Sequence, residues 1–252
     1  MRIHVYTLCW NEEKMLPFFI RHYQRFAEKI IFYDNESTDN SRRIIESSDK
    51  CEYRTYNSGN ELRDDLYREL KNNVWKESRG KADFVIVVDT DEMIYTSYNI
   101  KSYLRMLKFF GITLIRPFGY DMISDGVEWQ SDEQITKLVK TGRPFQPMNK
   151  PCIFNPDLIE EINFTLGAHS CRPTGRKRVF RADWITKYIN VGFYLLHYKL
   201  MGIEYLAERH GQLKARRSEY NKAKQLGEHY EYTESQIRDG YEGIKAQSYN
   251  VI

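Results

Sequence analysis

The chain has 252 residues, with 38 basic and 35 acidic side chains and a formal net charge of +3, enough for one large domain or two small ones with a substantial core. Charge this balanced, with no concentrated basic patch, argues against nucleic-acid binding. Four scattered cysteines, Cys9, Cys51, Cys152 and Cys171, show no CxxC spacing, which excludes a zinc module and a disulfide framework as readings.

No apolar run reaches the roughly 20 residues needed to span a bilayer. The apolar stretch in MRIHVYTLCWNEE is too short and too polar for a signal peptide, so a cytoplasmic location is expected. The 19 Tyr, 13 Phe and 4 Trp suit small-molecule or carbohydrate contact, or simply a core.

RIHVYTL (2–8) reads as a strand. Asn11 and the Glu12–Glu13 pair then supply a helix start, with acids in the first turn where they complement the macrodipole. Leu16, Phe19, Ile20, Tyr23 and Phe26 recur at helical spacing, and Pro17 is tolerated in the first turns. KIIFYD (29–34) is a second strand, followed by the polar turn NESTDNS and a short helix around Arg42 to Ser47. EYRTYN (52–57) is a third strand, and Leu62, Leu66, Leu70 and Val74 mark a long helix from Asn60 to about Ser78. FVIVVD (84–89) is a fourth, its continuous β-branched run suited to burial on both faces of a parallel sheet.

Asn99 caps a helix with Tyr103, Leu104, Leu107 and Phe110 inward, and ITLIRPF (112–118) is a further strand. This alternation predicts an α/β fold with a mainly parallel sheet. Residues 119–151 lose their periodicity and read as a long irregular segment, of the kind used as a lid or acceptor-binding loop. INFTL, KRVFRA and GFYLLHYK read as short strands, and from Gly202 onward the chain is charged and helical.

Ligands of open α/β sheets bind beyond the carboxyl ends of the strands. There this chain places Thr7 to Glu12, Asp34 to Asp39 and Asp89 to Glu92. Thr7, Trp10, Asn11, Asp34 and Asn35 offer an aromatic face, hydrogen-bonding groups and a carboxylate to a base and ribose. Neither GxGxxG nor GxxxxGK[ST] occurs, so a dinucleotide site and a P-loop are unsupported. Asp89, Asp91 and Glu92 at the tip of a buried strand either form a solvated turn or face something cationic. Extended geometry would point Asp89 and Asp91 to one side and Glu92 elsewhere.

Trp10-Asn11-Glu12, Asp34-Asn35-Glu36-Ser37-Thr38-Asp39 and Asp89-Thr90-Asp91-Glu92 resemble, in order, the motifs of family 2 glycosyltransferases. The later GAHS and LLHYK resemble a bacterial subgroup in which the metal carboxylates are followed by Glu. The resemblance covers essentially the whole chain, most strongly 1–95 and 194–199. It implies the α/β GT-A (nucleotide-diphospho-sugar transferase) fold, with a mainly parallel central sheet and flanking helices. The glycosyltransferase domain would occupy 1–200, with a helical C-terminal tail over 201–252 packed on it.

The implied activity is transfer, with inversion, from a UDP-, GDP- or dTDP-sugar to a glycan or lipid-linked saccharide acceptor, with Mn²⁺ or Mg²⁺ as cofactor. Polysaccharide synthesis is the setting it suggests. Carried onto this sequence, Trp10 flanks the base and Asp34 hydrogen-bonds the base or ribose. Asp89 lies near the ribose and the metal, and Asp91 ligates the metal. Thr7, Asn11, Glu12, Asn35 and Arg63 complete the donor-binding set. Family members commonly carry Thr directly before the aromatic, where this chain has Cys9.

A further metal ligand is expected from His197, at the end of GFYLL, or from His169 in GAHS. Lys199, Arg63 and Arg68 would add phosphate contacts, although both arginines also suit a helix face paired with Asp64, Asp65 and Glu69. Inversion needs a carboxylate to take the acceptor's proton. Asp121 in PFGYDM is the candidate, ahead of Asp125, Glu128, Asp132 and Glu133. KARRSEYNKAK (214–224) reads as a solvated helix face or as a peripheral contact with anionic lipid at the inner face of a membrane. Competing readings are a sugar-nucleotide pyrophosphorylase, for which LCWNEE lacks a Gly-rich basic loop, and a non-catalytic nucleotide-sugar binding module.

Overall fold

A computed structural model describes residues 1–186, 189 and 192–252. In chain order it forms β1 (Ile3–Cys9), α1 (Leu16–Tyr23), β2 (Lys29–Asp34), α2 (Ser41–Glu46), β3 (Cys51–Thr55), α3 (Asp64–Asn73), β4 (Phe84–Val87), β5 (Glu92–Thr96) and α4 (Ile100–Phe109). Then follow β6 (Leu114–Arg116), β7 (Phe118–Ser124), α5 (Ile135–Leu138), β8 (Thr141–Pro144), β9 (Ile153–Phe154), β10 (Val179–Arg181) and α6 (Ala182–Ile185). The chain ends with β11 (Phe193–Met201), α7 (Ile203–Ala215), α8 (Glu219–Ala223), α9 (Glu234–Lys245) and β12 (Tyr249–Asn250).

The architecture is mixed α/β, as the alternation predicts. One sheet runs β10-β6-β9-β4-β1-β2-β3, with β9 antiparallel to both its neighbours and the other pairs parallel. Its central strands β1 and β4 are buried along their whole length, because apolar side chains cover both faces. A second sheet runs β12-β8-β7-β11-β5. The chain crosses between the sheets in the four residues Asp89–Glu92: Glu92 N–H donates to the Asp89 carbonyl at 3.0 Å, and Asp89 N–H to Glu92 Oε2 at 3.1 Å. The acidic cluster is therefore the turn at which β4 becomes β5.

Several local expectations are corrected. Glu12 and Glu13 precede α1 rather than occupying its first turn; the Glu12 carbonyl accepts from Met15 and Leu16 N–H, each at 2.9 Å. The long third helix splits into α3 and a tighter turn over Val74–Ser78, and the buried residue of α3 is Lys71, with Leu66 and Leu70 half-buried. Leu104 and Leu107 of α4 point inward and Asn99 caps it as expected, whereas Phe110 is 57% exposed beyond its end.

The segment expected to be irregular, 119–151, begins inside β7 and carries α5 and β8. Gly119, Asp121 and Gly142 hide the strand signal there, yet Gly is required at two of these positions. A Cβ on Gly119 would lie 2.3 Å from the Met148 backbone, and one on Gly142 2.5 Å from the Asp121 carbonyl. INFTL forms no strand beyond a single bridge from Phe164 to Cys171. The C-terminal helices pack on the second sheet through Ile123, Leu200, Leu206, Ile237 and Tyr241.

Candidate functional site

A cleft of about 330 Å³ opens where the carboxyl ends of β1 and β4, the Asp89–Glu92 turn, α3, β11 and α7 meet. Of the residues expected from sequence, Trp10, Glu12, Asp89, Asp91, His169 and His197 line it, together with Arg68 and Lys199.

Thr7, Asn11, Asp34, Asn35, Arg63 and Asp121 are placed elsewhere. Thr7 is buried within β1 and donates to the Leu8 carbonyl at 3.3 Å. Asp34 is wholly buried, accepting from Ser37 N–H at 2.8 Å and Tyr53 O–H at 3.0 Å, so the Asp-x-x-Ser motif staples its own turn. Asn11 secures the same turn by accepting from Thr38 N–H at 2.8 Å, and Asn35 donates to Ser58 Oγ at 2.8 Å. Arg63 forks onto Asp65 at 2.9 and 2.7 Å, as the helix-face alternative expected.

The cleft floor follows from strand register. β11 pairs with β5 on one side and β7 on the other, so Glu92, His197 and Asp121 stand in one row. His197 Nδ1 lies 2.8 Å from Asp121 Oδ1, and Nε2 lies 3.2 Å from Asp91 Oδ2. Burial alone would lower the His197 pKa; Asp91 and Asp121 outweigh it and raise it to about 10. Burial pushes the Asp91 carboxyl up, but His197 prevails and holds it below its ordinary value. Asp121, 6% exposed behind the imidazole, orients His197 and does not face the cleft as a base would.

Asp89 has different partners. Lys71 Nζ lies 2.5 Å from its Oδ1 and Lys150 Nζ 3.2 Å from its Oδ2, and Lys150 also binds Glu92. The two lysines overcome burial and keep the Asp89 carboxyl well below the usual range. The two aspartates therefore line one cleft while answering to different cations, because a tight turn separates them.

Whether these residues suit a divalent cation is decided by the donor chemistry. A carboxylate on Nδ1 fixes a ligating histidine's tautomer and frees Nε2 for metal, the arrangement Asp121 and His197 show. Adjacent oxygen and nitrogen donors on a six-coordinate cation stand about 3 Å apart when the bonds are about 2.1 Å, close to the 3.2 Å between Asp91 Oδ2 and His197 Nε2. Among the described residues no set of three acidic, His or Cys side chains converges on one point. Asp91 and His197 thus fit as a two-donor seat. His169, whose Nδ1 lies 2.9 Å from the Pro147 carbonyl, and Asp89 stand apart from it.

The opposite wall is one that the sequence reading missed. Tyr205, Arg209, His210, Leu213 and Arg216 of α7 and its end, with His229 and Tyr230 beyond, line the cleft. Arg209 Nη2 lies 2.5 Å from Glu12 Oε1, yet burial prevails and raises the Glu12 carboxyl to about 7. The Arg216 guanidinium stacks over Trp10, 3.6 Å from the ring centroid. Tyr205, Arg209 and Arg216 recur at helical spacing within IEYLAERHGQLKARR, a signal that could have singled out this face. Of the basic segment 214–224, Arg216 and Arg217 turn inward, the latter donating to the Leu226 carbonyl at 2.7 Å.

No family model and no curated protein matches the chain. Similar solved structures include glucosyl-3-phosphoglycerate synthase from Mycobacterium tuberculosis with Mn²⁺, UDP and glucosyl-3-phosphoglycerate, at 16% identity and a TM-score of 0.30, covering 47% of this chain and 44% of that one. The same synthase with Mg²⁺ and UDP aligns over 84% of this chain and 79% of that one, at 12% identity and a TM-score of 0.38. A 4-diphosphocytidyl-2C-methyl-D-erythritol synthase from Anaerococcus prevotii aligns over 62% and 70%, at 12% identity and a TM-score of 0.33. Likenesses this slight carry no functional argument.

Proposed function

We propose that the protein is a glycosyltransferase of GT-A type that takes a sugar from a nucleotide-diphosphate donor with the help of Mn²⁺ or Mg²⁺. The observation that carries this reading is the Asp91–His197–Asp121 chain at the carboxyl tip of β4, in a cleft that also presents Trp10. Asp91 and His197 would hold the cation, which when bound supplies Lewis-acid stabilisation to the departing diphosphate. Asp121 keeps the imidazole aimed at Asp91. Trp10, with Tyr56 and Tyr67, also lines the cleft; Arg216 covers one face of its ring, and the other would serve the base.

Glu12 takes the role first expected of Asp121. It faces the cleft and its pKa of about 7 suits a general base at neutral pH. The acceptor, a glycan or another hydroxyl compound, would enter on that side. Among the described residues no helix is long and apolar enough to cross a membrane.

The test is a thermal-shift screen of UDP-, GDP- and dTDP-sugars with and without Mn²⁺. One donor is expected to stabilise the protein in a metal-dependent way, and Asp91→Asn or His197→Ala to remove that stabilisation. Equal shifts with and without metal, in wild type and both variants, would refute the reading.

A further inference from the structure

Most cations of the cleft are already answered by acids. Lys71 and Lys150 meet Asp89 and Glu92, Arg209 meets Glu12, and His197 meets Asp91. Three are not. Among the described residues Arg68, Lys199 and Arg216 line the cleft without an ion pair; Arg68 is exposed to solvent, whereas Lys199 and Arg216 are not. Arg216 is 6% exposed, and its Nε donates to the Asn60 carbonyl at 2.9 Å while Trp10 stacks on its face. Its Nη1 and Nη2 are buried without a well-formed hydrogen bond; the Tyr67 and Tyr56 hydroxyls are their polar neighbours, and no carboxylate meets them. A guanidinium fixed in this way presents the two-pronged fork that matches phosphate or carboxylate oxygens.

Lys199 stands two residues beyond His197 on β11 and contacts His229 Nε2 at 3.2 Å. His210, 7% exposed, has both ring nitrogens buried and unpartnered near Lys199, its ring packed on His229 and Tyr230. Leaving buried donors unsatisfied is costly, so a wall built this way calls for an anion. A divalent cation at Asp91 and His197 would already match the charge of a diphosphate diester, which leaves the charges of Lys199 and Arg216 unanswered.

We propose that the wall formed by Lys199, Arg216 and His210 is a subsite for an acidic group, phosphate or carboxylate, on the sugar-accepting substrate. The inference rests on reading the cleft as the donor site, and it narrows the acceptor from any hydroxyl compound to an anionic one.

Inorganic phosphate is the first probe, titrated calorimetrically into the full chain without metal. Binding is expected in wild type, retained in Asp91→Asn, and weakened at least about tenfold in Arg216→Gln and in Lys199→Met, each loss corresponding to about 1.4 kcal/mol or more. Melting curves identify any variant that fails to fold, and Arg216→Lys, which keeps the charge without the fork, provides a second measure with intermediate affinity expected. Unchanged affinity in both Arg216→Gln and Lys199→Met, or loss in Asp91→Asn, would overturn the proposal; the latter would assign the anion to the donor seat.

A second arm separates the sources of the acidic group. Kinetics with a phosphorylated acceptor and its neutral parent should show a KM advantage for the former that Arg216→Gln abolishes. An advantage that instead follows an acidic sugar on the donor would overturn the assignment to the acceptor. If phosphate binding depends on Arg216 while no nucleotide sugar binds, the anion subsite stands and the glycosyltransferase reading falls.

Discussion

His197 shows how much one side chain depends on its neighbours. The ordinary pKa of 6.5 rises to about 10 between Asp91 and Asp121. A raised pKa stabilises the fold fully below pH 6.5, and the contribution is lost as pH climbs through about 10. The metal-free protein should therefore lose stability across that window, and His197→Gln should flatten the slope in urea melts taken at successive pH values. Parallel slopes for the two proteins would contradict the pairing.

Glu12 carries the same sign from a different cause. Burial lifts its carboxyl from 4.5 to about 7, so the ionised form is a burden on the fold above that pH. Glu12→Gln should be the more stable protein at pH 8 while losing about 10²–10⁴-fold in kcat. In wild type, kcat/KM should rise through pH 7. A variant with full activity would remove Glu12 from the chemistry.

At the scale of elements, β7 is the strand the sequence concealed. Its Gly119 N–H donates to Asn149 Oδ1 at 2.7 Å, and the chain near Met148 approaches so closely that no Cβ fits. Gly119→Ala should cost about 1–3 kcal/mol by forcing the strand from that turn. Gly126→Ala, with open space around the added carbon, is the control. Because Asp121 is two residues further along β7, donor binding should weaken along with stability in the first variant only.

Of the strands legible in sequence, β1, β2 and β4 stand out because their buried faces demand continuous apolar runs, while β3, β6, β10 and β11 show shorter or interrupted ones. β5 and β7 escaped because their composition mixes acids and glycine with apolar residues, and their burial comes from pairing with β11. The helix α3 misled for the reverse reason. Its leucines suggested a core face, but it buries Lys71, whose ammonium is needed at Asp89.

At the scale of the whole molecule, the two sheets meet at the acidic turn, and the C-terminal helices close over it. Leu206 and Ile237 anchor that closure in a small cluster of their own with Ile123, Leu200 and Tyr241. Leu206→Ala should cost about 2–4 kcal/mol and lower affinity for the donor, because Arg209 and Arg216 lie on the same helix and its end. A single unfolding transition in calorimetry is expected if 201–252 belongs to the same cooperative unit; two resolved transitions would divide the chain there. What the residues alone determined is the order of the parallel strands' building blocks and the place where their polar tips gather, since burial on both sides of a sheet leaves an unmistakable apolar run and an abrupt polar end. Which polar groups meet was decided by register and by return of the chain. His197 reaches Asp91 through β11 pairing between β5 and β7, and Asp34 turns inward to hold its own loop. Arg216 arrives from the far end of the sequence, and local pattern carries no information about distances across so many residues.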